Sequence, residues 1–312
     1  MSKLTMAYRS MSEHQETWRA RMTELVPGLR FLAADEVTDP AEIDVALCWL
    51  PPPGWLASMP NLRMVHSLGA GVDHILLDPA YPAHVPLVRL VDPYMTRAMT
   101  EYVTFQVLRL HLKEPAYRRQ QQVAEWTPHA PPRASERRVG ILGLGELGTA
   151  AAEALVALGF DVGGWSRTPK QLAGVTCFAG AGGFDAFLAR TEILVCLLPL
   201  TAATDGILAA ETFAKLPRGA GLINVGRGRH VVDADLIAAL DAGQLSEAVL
   251  DVFSEEPLPT AHPFWRHPQV AVTPHVAALT NPGTASLVVA ENLRRLAAGE
   301  PWPDRVDLAS GY

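Results

Sequence analysis

The chain holds only three cysteines, Cys48, Cys177 and Cys196, too far apart in sequence to form a metal-type pair. Its ten histidines show no His-x-x-His or His-Glu-x-x-His spacing, so no dedicated metal centre is expected. No Gly-x-Ser-x-Gly elbow occurs, which sets aside a serine hydrolase built on that turn. Basic residues are in deficit. Lys+Arg 26 against Asp+Glu 33 gives −7, the wrong sign for a nucleic-acid binder, though a local basic pocket for a phosphate remains open. The run "RASERR" (Arg133 to Arg138) reads as a solvated loop. The longest apolar run, "ILVCLLPL", is far too short to cross a bilayer. The opening stretch "MSKLTMAYRSMSEHQE" lacks the apolar core of a secretory leader. Cys48 and Cys196 sit inside apolar runs, where a buried, inert thiol is the expected state, and that suits a reducing cytoplasm. No internal repeat and no low-complexity linker is visible.

What is present is a regular alternation. Apolar, β-rich runs ("DVALCWL", "LVRLV", "RVGIL", "EILVCLL", "GLINV", "EAVLDV", "VAVT") are separated by Ala/Leu-rich runs such as "LGTAAAEALVALG" and "DADLIAALDAGQL". Strands buried on both faces read as continuous apolar runs, and helices between them make parallel crossovers. The 312 residues suffice for two domains of ordinary size. The expected fold is α/β, with two doubly wound, Rossmann- or flavodoxin-like parallel-sheet domains and an active-site cleft between them. A long helix is predicted from Pro93 to just before Pro115, crossing between domains, and another over "TNPGTASLVVAENLRRLAAGE", stopping at Gly299. The expected division is discontinuous: residues 1–97 with 284–312 as the substrate-binding domain, and 98–283 as the dinucleotide-binding domain.

"RVGILGLGELG" places Gly143, Gly145 and Gly148 in Gly-x-Gly-x-x-Gly register between a strand and an Ala-rich helix. The first glycine allows the tight turn, the second lets backbone approach a pyrophosphate, and the third lets helix and strand pack closely. Phosphates then meet the unpaired N–H groups and positive end of the helix. A glycine-rich turn without a ligand is the alternative, weakened by the strand–turn–helix context. The next strand is "FDVGGW". Its end, where an acid would accept bonds from the ribose hydroxyls, carries none; Ser166, Arg167 and Thr168 stand there, with Lys170 close behind. Arg offers a planar fork of donors suited to phosphate. These residues are expected to hold the 2′-phosphate of NADP(H), with NAD(H) accepted more weakly; an ordinary exposed turn is the competing reading.

Three later residues follow buried strands: Arg227 in "LINVGRGRHVVD", Glu256 in "LDVFSEEPLP" and His275 in "VAVTPHVAALT". In an open α/β sheet the carboxyl ends of strands face one crevice. Arg can bind a carboxylate and polarise a carbonyl, His can donate a proton near neutral pH, and a Glu bonded to that His fixes its tautomer. Each has a rival: Arg229 for Arg227, Glu255 for Glu256, and a merely structural place for His275. The other nine histidines, His66, His74, His111 and His267 among them, stand in no comparable company.

Taken in order, "GLGELG", "LLPLTAATDGIL", "INVGRGRHVVD", "LDVFSEEPLP" and "VTPHVAALT" resemble the D-isomer-specific 2-hydroxyacid dehydrogenases over nearly the whole chain. "SLGAGVDHIL", "DPYMTRAMTEYV", the "WSRT" turn and the terminal "VDLASGY" resemble most the shorter, NADPH-preferring glyoxylate/hydroxypyruvate reductase branch. The resemblance implies that Arg227 contacts the substrate carboxylate and carbonyl, Glu256 pairs with the histidine, and His275 donates the proton. It implies that backbone N–H groups at Ala70 and Gly71 hold the substrate carboxylate, with Trp49 lining the pocket near Leu68 and Met95. The dinucleotide is expected along Gly143, Gly145, Glu146, Leu147, Gly148, Ser166, Arg167, Thr168, Leu198, Pro199, Val225 and Gly226, with Asp251 near the nicotinamide amide. The Ser-Arg-Thr turn departs from NAD-using members, which usually carry Asp there; that is read as cofactor choice.

The implied reaction is NADPH-dependent reduction of a small 2-oxo acid: glyoxylate to glycolate, hydroxypyruvate to D-glycerate. A dehydrogenase for a bulkier or sugar-derived 2-oxo acid is the nearest alternative. A nucleotide-sensing, co-repressor-like binding protein is a more distant one, because it has little need of the complete Arg/Glu/His set. The expected partners are the small 2-oxo acid and a second copy of the chain, with no nucleic acid and no membrane. The helix from Pro93 and the stretch "EPAYRRQQQVAEWTP" are the candidate dimer surface; packing of that helix within one chain is the alternative.

Overall fold

A computed structural model describes residues 4–10 and 14–312; residues 1–3 and 11–13, part of the stretch inspected for a leader, lie outside the described residues. The strands are β1 Thr5–Arg9, β2 Arg30–Ala33, β3 Val45–Cys48, β4 Met64–Ser67, β5 Leu87–Val88, β6 Arg138–Leu142, β7 Asp161–Ser166, β8 Val175–Ala179, β9 Ile193–Cys196, β10 Ala220–Asn224, β11 Leu245–Leu250 and β12 Val270–Val272. The helices are α1 Gln15–Leu25, α2 Asp73–Leu76, α3 Pro93–His111, α4 Glu114–Gln122, α5 Glu146–Ala157, α6 Gly180–Arg190, α7 Ala210–Lys215, α8 Asp233–Asp241 and α9 Pro282–Ala298. The chain divides into two compact units, Met1–Met95 with Thr280–Tyr312, and Thr96–Leu279; the first boundary falls inside α3.

The first unit carries a five-stranded sheet in the order β2-β1-β3-β4-β5, every pair parallel. The second carries seven parallel strands in the order β12-β11-β10-β9-β6-β7-β8. Both are doubly wound α/β sheets, as the alternating pattern predicts. The strands legible in sequence are those that read as continuous apolar runs, such as the buried Val45–Cys48, Ile193–Cys196 and Ala220–Asn224. Four strands escape that pattern. β1, β2, β4 and β8 read TMAYR, RFLA, MVHS and VTCFA, and their polar residues interrupt the apolar run.

In the first unit α9 packs on α1 through a stripe that buries Ala285, Val289, Ala290, Leu293 and Leu296. Asn281 caps its start by accepting from the Gly283 N–H at 2.8 Å, Pro282 opens the first turn, and Gly299 closes the helix in the left-handed conformation (φ 71°). α9 also carries Asn292, whose side-chain amide donates to Nε2 of fully buried His66 at 3.0 Å. Nδ1 of His66 lies 2.7 Å from the Ser67 carbonyl. The imidazole therefore carries its proton on Nδ1 and accepts at Nε2, a neutral tautomer locked between strand and helix.

Burial pushes the His66 imidazole down to about 4, with the Ser67 carbonyl acting weakly the other way. An unfolded chain binds this proton at the ordinary value of 6.5, so the contribution is intact above pH 6.5 and is lost as pH falls toward 4. The fully developed loss is about 3 kcal/mol. Thermal midpoints across that window should fall more steeply in wild type than in His66→Gln; parallel curves would show that His66 is not the acid-sensitive group.

Candidate active site

Every strand of the second unit runs in the same direction, so the segments leaving β6, β7, β9, β10, β11 and β12 emerge along one edge. Ladder-type bonds continue past the strand ends: Gly143 N–H to Trp165 O at 2.9 Å, Leu197 N–H to Leu142 O at 2.9 Å, Val225 N–H to Cys196 O at 3.2 Å, Asp251 N–H to Asn224 O at 3.1 Å and Thr273 N–H to Leu250 O at 3.0 Å. These bonds line up the turns that carry the candidate residues.

The glycine turn follows β6. Gly143 has φ +108°, and a Cβ there would lie 2.9 Å from the Leu197 carbonyl oxygen. A Cβ on Gly148 would lie 1.8 Å from the Gly143 oxygen, so α5 approaches the turn only because this residue has no side chain. Gly145 caps α5, and the place of its Cβ has nothing within 4 Å. Glu146 and Leu147 form the first helical turn with Gly148. An accessible backbone at the N-terminus of a 12-residue helix is the cradle that a dinucleotide pyrophosphate requires.

At the end of β7, Ser166 is buried and its hydroxyl donates to the Thr168 carbonyl at 2.8 Å, so it braces the turn from inside. Arg167, Thr168 and Lys170 are exposed, and Lys170 donates to the Leu144 carbonyl, tying this turn to the glycine turn.

Beyond β10, Val225 and Gly226 are buried, and the Arg227 guanidinium donates to the Gly226 carbonyl at 2.8 Å. Gly228 presses on the next loop: a Cβ there would meet the Phe253 carbonyl carbon at 1.8 Å. That close approach brings the arginine turn against the segment carrying Glu256. One Glu256 oxygen accepts the Phe253 N–H at 2.8 Å and the other lies 2.8 Å from Nδ1 of His275. Burial opposes ionisation of Glu256. The His275 and Phe253 hydrogen bonds and the charges of His275 and Arg227 outweigh it and hold the carboxyl below its ordinary value. The structure thus gathers Arg227, Glu256 and His275; Arg229 is exposed and paired with Asp205, and it is Glu256 rather than Glu255 that bonds to His275.

His275 has φ 54°, a left-handed conformation that a side chain with Cβ adopts at a cost. Asp251, 1% exposed, holds it there. The Asp251 carbonyl accepts the His275 N–H at 2.8 Å, and its carboxylate accepts from Thr273 Oγ1 at 2.5 Å, Val276 N–H at 3.0 Å and Ala277 N–H at 2.9 Å. Asp251 was expected beside a nicotinamide amide; its visible task is to clamp the histidine turn.

Trp49, Ala70 and Gly71 belong to the first unit. The Trp49 ring lies tilted against that of His74 (centroids 3.9 Å apart, planes at 48°) and covers Gly69, where a Cβ would run into the Trp49 ring. The loop carrying Ala70 and Gly71 is pinned by the Ser67 hydroxyl, which donates to the Gly71 carbonyl at 3.2 Å and accepts the Gly69 N–H at 3.1 Å. Thr280 Oγ1 donates to the Leu68 carbonyl at 2.6 Å. Leu68 and Met95 are buried.

Two residues of the second unit were not anticipated. Asn224, buried at the end of β10, donates to the Arg227 carbonyl at 2.9 Å. His230, passed over as one histidine among nine, accepts the Arg227 N–H on Nδ1 at 3.0 Å. Its spacing of three from Arg227 was the available signal. Among the described residues no His/Cys/Asp/Glu cluster could hold a metal, and no helix is long and apolar enough to cross a membrane.

A sequence model described as "D-isomer specific 2-hydroxyacid dehydrogenase, NAD binding domain" matches residues 104–277, more than half of the chain. The chain belongs to the D-isomer specific 2-hydroxyacid dehydrogenase family. It is 46% identical over 302 residues to glyoxylate/hydroxypyruvate reductase A of Serratia proteamaculans (strain 568), covering 95% of this chain and 96% of that one. Among solved structures it resembles the D-isomer specific 2-hydroxyacid dehydrogenase of Xanthobacter autotrophicus Py2, crystallised with NADPH and MES. The TM-score is 0.95 at 46% identity, with complete coverage of both chains. It also resembles the NADPH-dependent glyoxylate/hydroxypyruvate reductase of Sinorhizobium meliloti in complex with NADP and sulfate. There the TM-score is 0.93 at 40% identity, over 99% of this chain and 100% of that one. As a member of the 2-hydroxyacid dehydrogenase family the chain is an oxidoreductase.

The two glycine environments should separate cleanly. Gly228→Ala should cost about 2 kcal/mol or more, because backbone must move to admit the methyl group. Gly145→Ala, with open space at its Cβ, should stay within about 0.5 kcal/mol of wild type. Denaturant midpoints of both variants, read without added nucleotide, measure the difference; equal midpoints would mean the Gly228 approach is not enforced.

Proposed function

We propose that the protein reduces small 2-oxo acids, glyoxylate and hydroxypyruvate among them, using NADPH, with Arg227, Glu256 and His275 as its catalytic residues. The observation that carries this reading is the 2.8 Å His275–Glu256 pair, on the same sheet edge as Arg227 and the glycine turn. The relative from Serratia and the structural neighbour from Sinorhizobium, both named for this activity, support it. Bound NADPH supplies a hydride to the C2 carbonyl carbon of the acid. Arg227 clamps the substrate carboxylate and steadies the carbonyl oxygen as charge develops there. Glu256 takes the Nδ1–H of His275, which leaves Nε2 to carry the proton delivered to the alkoxide. Ala70 and Gly71 offer backbone N–H groups to the carboxylate, and Trp49 limits the group attached to C2. The first unit is in this reading the substrate-binding domain and the second the dinucleotide-binding domain.

For the cofactor, the absence of an acid at the end of β7 and the exposed Arg167, Thr168 and Lys170 favour a 2′-phosphate. The two neighbours crystallised with NADPH or NADP support the same choice. The three cysteines form no disulfide and two of them are buried, which supports a reducing, cytoplasmic location. A homodimer completes the reading. Phe105 and Leu112, on and just after α3, and Val123 and Trp126, just after α4, are exposed apolar side chains, Trp126 to 97%. The small 2-oxo acid and a second copy are its partners, with no role for nucleic acid or membrane.

Initial rates of NADPH and NADH oxidation with glyoxylate and hydroxypyruvate should show turnover with a clear NADPH preference. Arg167→Ala should erase about one to two powers of ten of that preference, the worth of a charge-assisted bond. His275→Ala should lower kcat by about 10²-fold or more with NADPH affinity retained; near-normal turnover in that variant removes His275 from the mechanism. Sedimentation at micromolar concentration should give a dimer, and a monomer there ends the homodimer proposal.

A further inference from the structure

The imidazole of His230 is fully buried and bonded at both nitrogens. Nδ1 accepts the Arg227 N–H at 3.0 Å, so it carries no proton. The proton is on Nε2, which lies 3.3 Å from the Pro199 carbonyl and donates to it. The Cys196 thiol, 3.7 Å from Nδ1, is pushed up to about 12 by burial, so it stays an S–H and cannot charge the pocket. Gly226 lies flat against the ring: a Cβ there would meet Nδ1 at 2.9 Å and Cε1 at 3.0 Å. On the other side, Asn224 holds the Arg227 carbonyl at 2.9 Å and accepts the Gly226 N–H at 3.2 Å.

Arg227 is therefore gripped at both ends of its backbone. Asn224 fixes the carbonyl and His230 fixes the N–H. The His230 side chain carries the grip onward, because its second nitrogen reaches Pro199, whose carbonyl also accepts Thr204 Oγ1 at 2.7 Å. Backbone bonds from Gly206 N–H to the Arg229 carbonyl and from Leu208 N–H to the His230 carbonyl join the loop leaving β9 to the loop leaving β10, and the ring adds a side-chain link directly beside Arg227. We propose that neutral His230 is a positioning residue: it sets where Arg227 presents its guanidinium to the substrate carboxylate and couples that presentation to the Pro199 loop. This rests on the reading of Arg227 as the carboxylate-binding residue.

Three substitutions separate the two bonds. His230→Asn places a side-chain oxygen where Nδ1 stands and keeps the acceptor for Arg227. His230→Gln places an amide N–H where Nε2 stands and keeps the donor for Pro199. His230→Leu keeps neither while filling much of the volume. With NADPH and glyoxylate, His230→Leu should raise the glyoxylate KM and lower kcat/KM about tenfold or more, with a smaller rise in the NADPH KM. His230→Asn should recover most of the loss and His230→Gln should not. If His230→Leu does not fold, the ranking of Asn above Gln carries the test. A glyoxylate KM equal to wild type in His230→Leu, or losses that follow thermal midpoint alike in all folded variants, would make the ring a space-filler and overturn the proposal. Arg227→Lys is the control. If it destroys turnover while the His230 series behaves as wild type, only the positioning role fails; if it leaves turnover intact, the reading of Arg227 fails and this inference with it.

Discussion

A carboxylate cut off from water must find donors for both oxygens or destabilise the fold around it. Asp251 finds all of its donors in one turn. Thr273 gives its only hydroxyl proton to Asp251, so Tyr102, 2.6 Å from Thr273 Oγ1, must be the donor in that contact. Burial raises the Tyr102 hydroxyl above its ordinary value, keeping it protonated for that purpose, with the Thr273 bond acting weakly against. The chain of bonds runs from α3 through Thr273 to the end of β11 and on to the amides after His275. It offsets the cost of a left-handed histidine, of order 1 kcal/mol or more. The direction in which the imidazole meets Glu256 depends on this one buried charge.

A second constraint is closeness of backbone. Gly148, Gly226 and Gly228 each stand where a methyl group would collide with a carbonyl or a ring. The first lies within the glycine turn, the second within the arginine turn, and the third joins the arginine turn to the glutamate segment. They keep the first two turns compact and set the arginine turn against the glutamate segment at a separation that no larger residue allows. Rigid spacing of this kind lets a small substrate be held by a few groups, since misplacement by 1 Å is costly in rate.

How much of this was legible beforehand follows from what a residue advertises. "ILVC" and "AGLIN" announce buried central strands by apolar continuity, and the parallel order follows from the helices between them. "MVHS" does not, because His66 and Ser67 read as polar until Asn292, 226 positions away, is seen to satisfy the ring. Arg227, Glu256 and His275 stood out because each follows a strand in a motif. His230 and Asn224 did not, since a side chain that serves a neighbour's backbone leaves no pattern of its own. Asp251 was noticed for another reason, and its clamp is written in bonds to residues 22 to 26 positions later.

The first unit is assembled from two stretches separated by the whole of the second. β1 to β5 leave a ribosome early, but α9, Asn292 beneath His66, Thr280 on the Leu68 carbonyl and Val306 beside Leu87 emerge only at the end. The seven-stranded sheet has no such debt, since all its strands come from one continuous stretch. During synthesis the later-made sheet is thus free to close first, while the earlier-made one waits with a core still open toward the place of α9. For that interval α1 and the His66 ring wait without the helix that covers the one and bonds the other in the finished fold.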